Sequence, residues 1–530
     1  MYDHWFISRQ KRKLTPILPA LIAYNDVCVG KVWNPETQEI WEDEIAAREI
    51  TRHGNLRARR AGQGGGGIRT LFKQMQDLGL VFIEDANRVC RMTLIAEELV
   101  RGTVTFVEAM RMQLRKLQYP SAARYDGSGA VGGRFSVHPF LFILRLLKQG
   151  GIDNYITMDE LAYIIIHEAD KDDNETVDRI ASKIRAGRAT EDVLMGAHIR
   201  AEITATPDMD RVQLKAVKDK IAHYQDIANT FANYLELTQY IDRGTRTISI
   251  RAGKETDVDQ YIKDMPRLMD HPELKENYVR RYGVGYSKKD LRDFSHIDDR
   301  SNRAIMESRI RSEYVLLALR TPITSITSDI VRHISERTGI DERKVENFLT
   351  RTYPQGNIDD FFVAYRELAR SGTEGARDFE AATCEVFKKV FHMRADHIGQ
   401  SGSTPTPDVF VVSEEKEFCG IIDNKAYKNG YSITGDHKRV MVDEYIPKYR
   451  SYGNTSYPLA FFSYIAGSFG STINRGIQQI QQETGVNGSA MPVELFINMA
   501  QDYAHGELDH GFIRSVFSVN REVRLEDIQH

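Results

Sequence analysis

Phe418-Cys-Gly-Ile-Ile-Asp-Asn-Lys-Ala-Tyr427, with Pro407-Asp408 shortly before it, is the stretch that decides the fold of this chain. Its apolar run reads as a buried strand, yet Asp423 and Lys425 interrupt it. Seating an ionised carboxylate and an ammonium in such a strand costs several kcal/mol unless they pair or bind a metal. One residue separates them, so strand alternation puts both on one face. Val409-Phe-Val-Val412 reads as a neighbouring strand, and a hairpin turn over Ser413–Lys416 would bring Asp408 beside Asp423. Two hard carboxylate ligands next to one ammonium can hold Mg²⁺ and steady a water beside it. The same spacing fits a structural ion pair at a strand end, with Asp408 merely following a turn proline; the flanking sequence weighs against that reading.

The 530 residues exceed what one core holds and suggest about three domains. A hydrophobic content of 41% with 28% charged residues excludes a disordered chain. No apolar run approaches the roughly 20 residues needed to cross a bilayer, so no membrane partner is expected. Nothing at the start resembles an export signal. Cys28, Cys90, Cys384 and Cys419 are isolated, which argues against a zinc module or a disulfide framework and for a reducing cytoplasm. The net charge of −4 hides segregation: residues 51–125 carry thirteen Lys/Arg against six acids, a net +7. A basic surface on a near-neutral protein is the footprint of a module that holds phosphates.

Residues 67–100 read as a helix (Ile68, Leu71, Phe72, Met75, Leu78) closed by Gly79, a hairpin over 80–92, and a further helix from Thr93. That is a winged-helix order, with Arg69, Lys73 and Gln74 on or beside the groove-facing side and Arg57, Arg59 and Arg60 as a basic arm. A second unit of similar type spans 136–252, with a buried helix at Pro139–Leu147, a capping box at Thr157–Glu160 and a closing hairpin over 240–250. Residues 253–303 are charged and poorly periodic and read as connector. The expected partition is therefore 1–135, 136–252, a helical connector over 253–344, and 345–530.

Two motifs are decoys. Gly62-Gln-Gly64-Gly-Gly-Gly67 matches GxGxxG, but an arginine run precedes it where a dinucleotide fold needs a strand. Asp170-Lys-Asp172-Asp173-Asn174 imitates a calcium loop, but its sixth position is Glu175 and its twelfth Ala181, so it reads as an acidic helix entry. His333, His392 and His397 lack metal-ligand spacing.

From about Asp360 onward the chain resembles the cleavage domain of FokI-type restriction endonucleases. The resemblance is carried by Phe379-Glu380, Arg394-Ala-Asp-His-Ile-Gly399, Pro407-Asp408, Ile421–Tyr427, Asn429-Gly-Tyr431 and Ala460–Ala466. Leu117-Gln-Tyr-Pro-Ser121, Pro139–Leu144 and the 51–100 unit resemble the recognition half of the AlwI and nickase group of type IIS enzymes. The resemblance implies a multidomain protein: α+β winged-helix-like DNA-recognition modules, then an α/β PD-(D/E)xK nuclease domain on a central mixed sheet. It makes Asp408, Asp423 and the Asn424 backbone carbonyl Mg²⁺ ligands, Lys425 the residue that polarises the attacking water, and Glu380 a helix acid near the metal. Glu380 also fits a solvated helix-start acid.

FokI-type domains pair with a second copy through an aspartate and an arginine one helical turn apart. The matching positions hold Arg439 and Asp443, the same charges reversed. They fit either a reciprocal contact across a two-fold axis or an ordinary i,i+4 pair. The implied activity is that of a type IIS restriction endonuclease: a short asymmetric double-stranded DNA site is bound and cut to one side, through a transient homodimer. No methyl-donor motif is apparent, so a separate DNA methyltransferase is expected in the host. The alternatives are a strand-specific nickase or heterodimer subunit, and, from another class, a non-catalytic winged-helix regulator.

Overall fold

The computed structural model describes residues 4–529 apart from 9–13, 49, 51–65, 122–133, 193–199, 245, 270–273, 288, 295–301, 400–404, 428–429, 505 and 507. The chain divides into two compact units, Met1–Ser312 and Glu313–His530.

In the first unit the helix Gly66–Asp77 buries Ile68, Leu71, Phe72, Met75 and Leu78, as their spacing requires. Gly79 leaves it at φ +68°, the left-handed conformation that a helix-ending glycine adopts without a Cβ penalty. Strands β1 (Val81–Ile83) and β2 (Cys90–Met92) then pair antiparallel, Val81 opposite Met92. Thr93 caps the next helix, Leu94–Arg101, by accepting from the Ala96 N–H, while its hydroxyl donates to the Gly79 carbonyl. The helix–hairpin–helix order is thus tied at both ends.

A three-stranded antiparallel sheet, in the order β3 (Tyr155–Thr157), β5 (Thr247–Ile250), β4 (Ile241–Arg243), organises the following residues. The Thr157–Glu160 capping box forms, and Glu160 also pairs with Arg188 at 2.7 Å. The false calcium loop serves as caps: Asp173 accepts from the Thr176 N–H and Asp172 from His138. The helices Glu255–Lys263 and Lys275–Tyr282 pack into this unit through tyrosines. Tyr261 donates to the Arg111 carbonyl at 2.6 Å and Tyr282 to that of Gln113 at 2.7 Å. Each ring is buried, with its polar tip satisfied.

The second unit is built on one six-stranded mixed sheet, in the order β11-β10-β9-β8-β7-β6. Its strands are β6 (Arg394–His397), β7 (Val409–Ser413), β8 (Phe418–Lys425), β9 (Leu459–Ala466), β10 (Asn487–Pro492) and β11 (Arg521–Glu522). The first three run antiparallel to one another; β8 to β11 are parallel. Alternation divides the core in two. Val409, Val411, Phe418 and Ile422 face one side with Phe387, Phe496 and Phe517; Phe410, Val412, Cys419 and Ile421 face the other with Tyr431, Tyr464 and Ile477. At Gly420 a Cβ would lie 2.4 Å from the Phe461 ring, so glycine lets β9 close against β8. Among the described residues no helix is long and apolar enough to cross a membrane.

Candidate active site

The β7–β8 hairpin sets the site. Val409 stands opposite Ile422, so the ladder continued by one residue puts Asp408 opposite Asp423. Both lie on the face of Phe410 and Ile421, and both are buried, at 8% and 5% exposure. Lys425 shares that face and donates to Asp423 Oδ1 at 2.8 Å. The Asn424 backbone N–H donates to Asp408 Oδ2 at 2.6 Å, and the N–H groups of Ile398 and Gly399 hold the Asp408 carbonyl. The helix Ala376–Lys389 brings Glu380 to the same cleft, a cavity of about 710 Å³ lined also by Arg377, His397 and Tyr445.

The electrostatics follow from that crowding. Burial, then the Asp423 carboxylate, push the Asp408 carboxyl well above the usual carboxylate range. Burial pulls the Lys425 ammonium down, but Asp423 and Asp408 outweigh it and raise its pKa above the ordinary lysine value. Ionising both facing carboxylates beside one ammonium would leave a surplus of negative charge in a low-dielectric pocket, which a divalent cation would relieve. The donors are all hard oxygens. Asp408 and Asp423 are the two carboxylates that face each other, and Glu380 shares their cleft. Two carboxylates and a backbone carbonyl suit a small, hard cation that keeps several waters, as Mg²⁺ does. The residues present fit Mg²⁺.

The structure brings Asp408, Asp423, Asn424, Lys425 and Glu380 together. His397, read from sequence as an ordinary polar position, belongs with them: its Nε2 lies 3.2 Å from Glu380 Oε2. The β6–β7 ladder places it, since His397 pairs with Val409, next to Asp408. Arg439 and Asp443 are both exposed and form no ion pair with each other. Arg439 ends a regular turn (Gly435–Val440), whereas Asp443 sits in a wide turn with i→i+5 bonding (Met441–Tyr445), so ordinary i,i+4 spacing does not hold.

In the first unit Arg69 and Lys73 are exposed. Gln74 is a correction: it is fully buried, and its Nε2 donates to the Tyr234 hydroxyl at 2.5 Å. It sits on the helix stripe of Leu71, Met75 and Leu78, and that face packs inward. Arg57, Arg59, Arg60 and the glycine run up to Gly65 lie outside the described residues.

Comparison with known proteins agrees with this geometry. Residues 76–340, half of the chain, match the AlwI restriction endonuclease family, and residues 339–524 match the FokI cleavage domain. Type II restriction enzyme StsI of Streptococcus sanguinis is 25% identical over 161 residues, 28% of this chain and 26% of that protein. Type II restriction enzyme FokI of Planomicrobium okeanokoites is 25% identical over 175 residues, 31% of this chain and 30% of that one. The aligned stretch therefore spans less than a third of either relative. The crystal structure of restriction endonuclease FokI, 12% identical, covers 96% of this chain and 98% of that chain with a TM-score of 0.29, too low to establish a shared fold by itself. The sheet, the hairpin and the paired carboxylates all fall within the stretch that matches the FokI cleavage domain. The chain belongs to the AlwI restriction endonuclease family.

Proposed function

We propose that this chain is a type IIS restriction endonuclease that binds a short asymmetric site in double-stranded DNA and hydrolyses phosphodiester bonds at a fixed distance to one side. One observation carries the reading: Asp408 and Asp423 face each other across β7–β8, with Lys425 on Asp423, in a cleft of about 710 Å³. Asp408, Asp423 and the Asn424 carbonyl would hold Mg²⁺, which when bound would polarise the scissile phosphate and lower the pKa of water. Lys425 is poised to orient the attacking water and to offset the negative charge on the pentavalent phosphorus. Glu380, anchored by His397, would contact the cation directly or through water. Arg377, at the rim, suits the flanking phosphates.

Recognition is assigned to the first unit, read as two winged-helix-like modules over 1–135 and 136–252, with Arg69, Lys73 and the arm Arg57, Arg59 and Arg60 on the DNA and 253–344 carrying the chain to the nuclease domain over 345–530. The cytoplasm is the expected compartment. Arg439 and Asp443, both exposed, support a reciprocal contact between two copies, hence cleavage of both strands. A host carrying such an enzyme needs a methyltransferase for its own DNA. Digestion of plasmid with Mg²⁺ and sequencing of the ends tests this reading. Linear product with ends at a constant offset from one short sequence is expected. Persistent open circles at high enzyme would favour the nickase, and an intact plasmid that shifts on a gel would favour a non-catalytic binder.

A further inference from the structure

Asn424 leaves β8 on the face opposite Asp423 and Lys425, toward the helix Ala376–Lys389. Its Nδ2 donates to Thr383 Oγ1 at 2.6 Å, and its Oδ1 meets no hydrogen-bond partner among the described residues. The Thr383 bond is therefore what fixes this side chain. Thr383 is fully buried and its hydroxyl donates to the Phe379 carbonyl at 2.9 Å. A hydroxyl has one proton and two lone pairs, so Thr383 accepts both from Asn424 and from the Tyr365 hydroxyl, 2.7 Å away. Tyr365 is itself immobilised among the rings of Phe361, Phe379 and Phe496. Asn424 also holds Asp408 through its backbone N–H. One residue thus connects a buried hydroxyl pair behind the sheet to a carboxylate in the cleft.

We propose that Thr383 and Tyr365 are positioning residues that act through Asn424 to hold β8 and Asp408 in register, and so set the affinity of the site for its divalent cation. The proposal rests on the reading of Asp408 and Asp423 as cation ligands. Neither Thr383 nor Tyr365 lines the cleft. Supporting bonds behind ligands commonly change metal affinity by about 10–100-fold when removed.

A role in packing alone makes the opposite forecast for one pair of variants. Thr383→Val keeps the shape and loses the hydroxyl; Thr383→Ser keeps the hydroxyl and loses a methyl, which leaves a void. The test uses the full chain and follows thermal stabilisation by Ca²⁺, with the Mg²⁺ dependence of plasmid cutting as a second readout. Thr383→Val is expected to raise the Ca²⁺ midpoint about tenfold, at the lower end of that range. Tyr365→Phe, which still fills its ring site, should raise it by about threefold, since it removes only the bond that orients Thr383. Thr383→Ser should stay near wild type. An unchanged midpoint in Thr383→Val, or equal shifts for Val and Ser, would overturn the proposal. If Thr383→Val fails to fold, Tyr365→Phe decides: a midpoint equal to wild type refutes. Wild-type protein that neither responds to Ca²⁺ nor cuts with Mg²⁺ would instead remove the cation site, and the proposal with it.

Discussion

Asp360 offers a test of the second unit that is independent of any cation. It lies in the first turn of the helix Ile358–Leu368, which also carries Tyr365. It is buried and accepts from Asn357 Nδ2 at 2.6 Å. Burial pushes its carboxyl up from 3.8 to about 6, against the Asn357 hydrogen bond, which pulls it down. A raised folded pKa means that the native state binds the proton more tightly than the unfolded chain does. Its contribution is therefore most favourable below about pH 4, declines as pH rises, and levels off above about 6. The shift corresponds to about 3 kcal/mol, which the positive end of the helix offsets by up to about 1, leaving about 2–3 kcal/mol. Asp360→Asn keeps an acceptor for Asn357 and cannot ionise. At pH 8 it should raise the Tm of the transition that includes the second unit by about 4–12 °C in differential scanning calorimetry. Near pH 4.5 the gain should be mostly gone. A Tm difference that is the same at both pH values, or no gain at pH 8, would refute the reasoning.

Asp423→Ala should abolish cutting and leave specific DNA binding within about threefold in a gel-shift assay, because binding is assigned to the other unit. Lys73→Ala should weaken binding to all sequences and reduce the slope of log K against log salt by about 1 if the side chain meets a phosphate; titration at several salt concentrations reads it. Gln74→Ala should leave sequence preference unchanged and lower stability by about 1–3 kcal/mol by removing the buried hydrogen bond to the Tyr234 hydroxyl, as measured by chemical denaturation. Arg439→Asp should stop linear product while nicking persists, and the double swap Arg439→Asp/Asp443→Arg should restore linear product on a plasmid gel.

Some of this architecture was plain in the sequence because its physics is local. Two charges in an apolar strand are costly, and alternation fixes which way they point, so Asp408, Asp423 and Lys425 could be placed from spacing alone. The helix Gly66–Asp77 and its hairpin were legible for the same reason: helical spacing, a closing glycine and a threonine cap agree. Gln74 was misplaced because its chemistry, suited to reading adenine, was weighed above its position on the apolar stripe. Residues 253–303 read as connector because they are charged and poorly periodic, and the backbone carbonyls that let the Tyr261 and Tyr282 rings be buried leave no mark in the sequence. Glu380–His397 and Thr383–Asn424 join a helix to strands distant in sequence, and no periodicity announces such a pairing. The wide turn at Met441–Tyr445 was equally silent, since an i→i+5 bond leaves no compositional mark.

The most direct test is a crystal of the protein with DNA, soaked in Mn²⁺ and measured at the manganese absorption edge. The expected result is an anomalous peak within coordination distance of one carboxylate oxygen from each of Asp408 and Asp423, with Lys425 beside the scissile phosphate. A cation bound elsewhere, or carboxylates turned away from a correctly seated DNA backbone, would contradict the assignment.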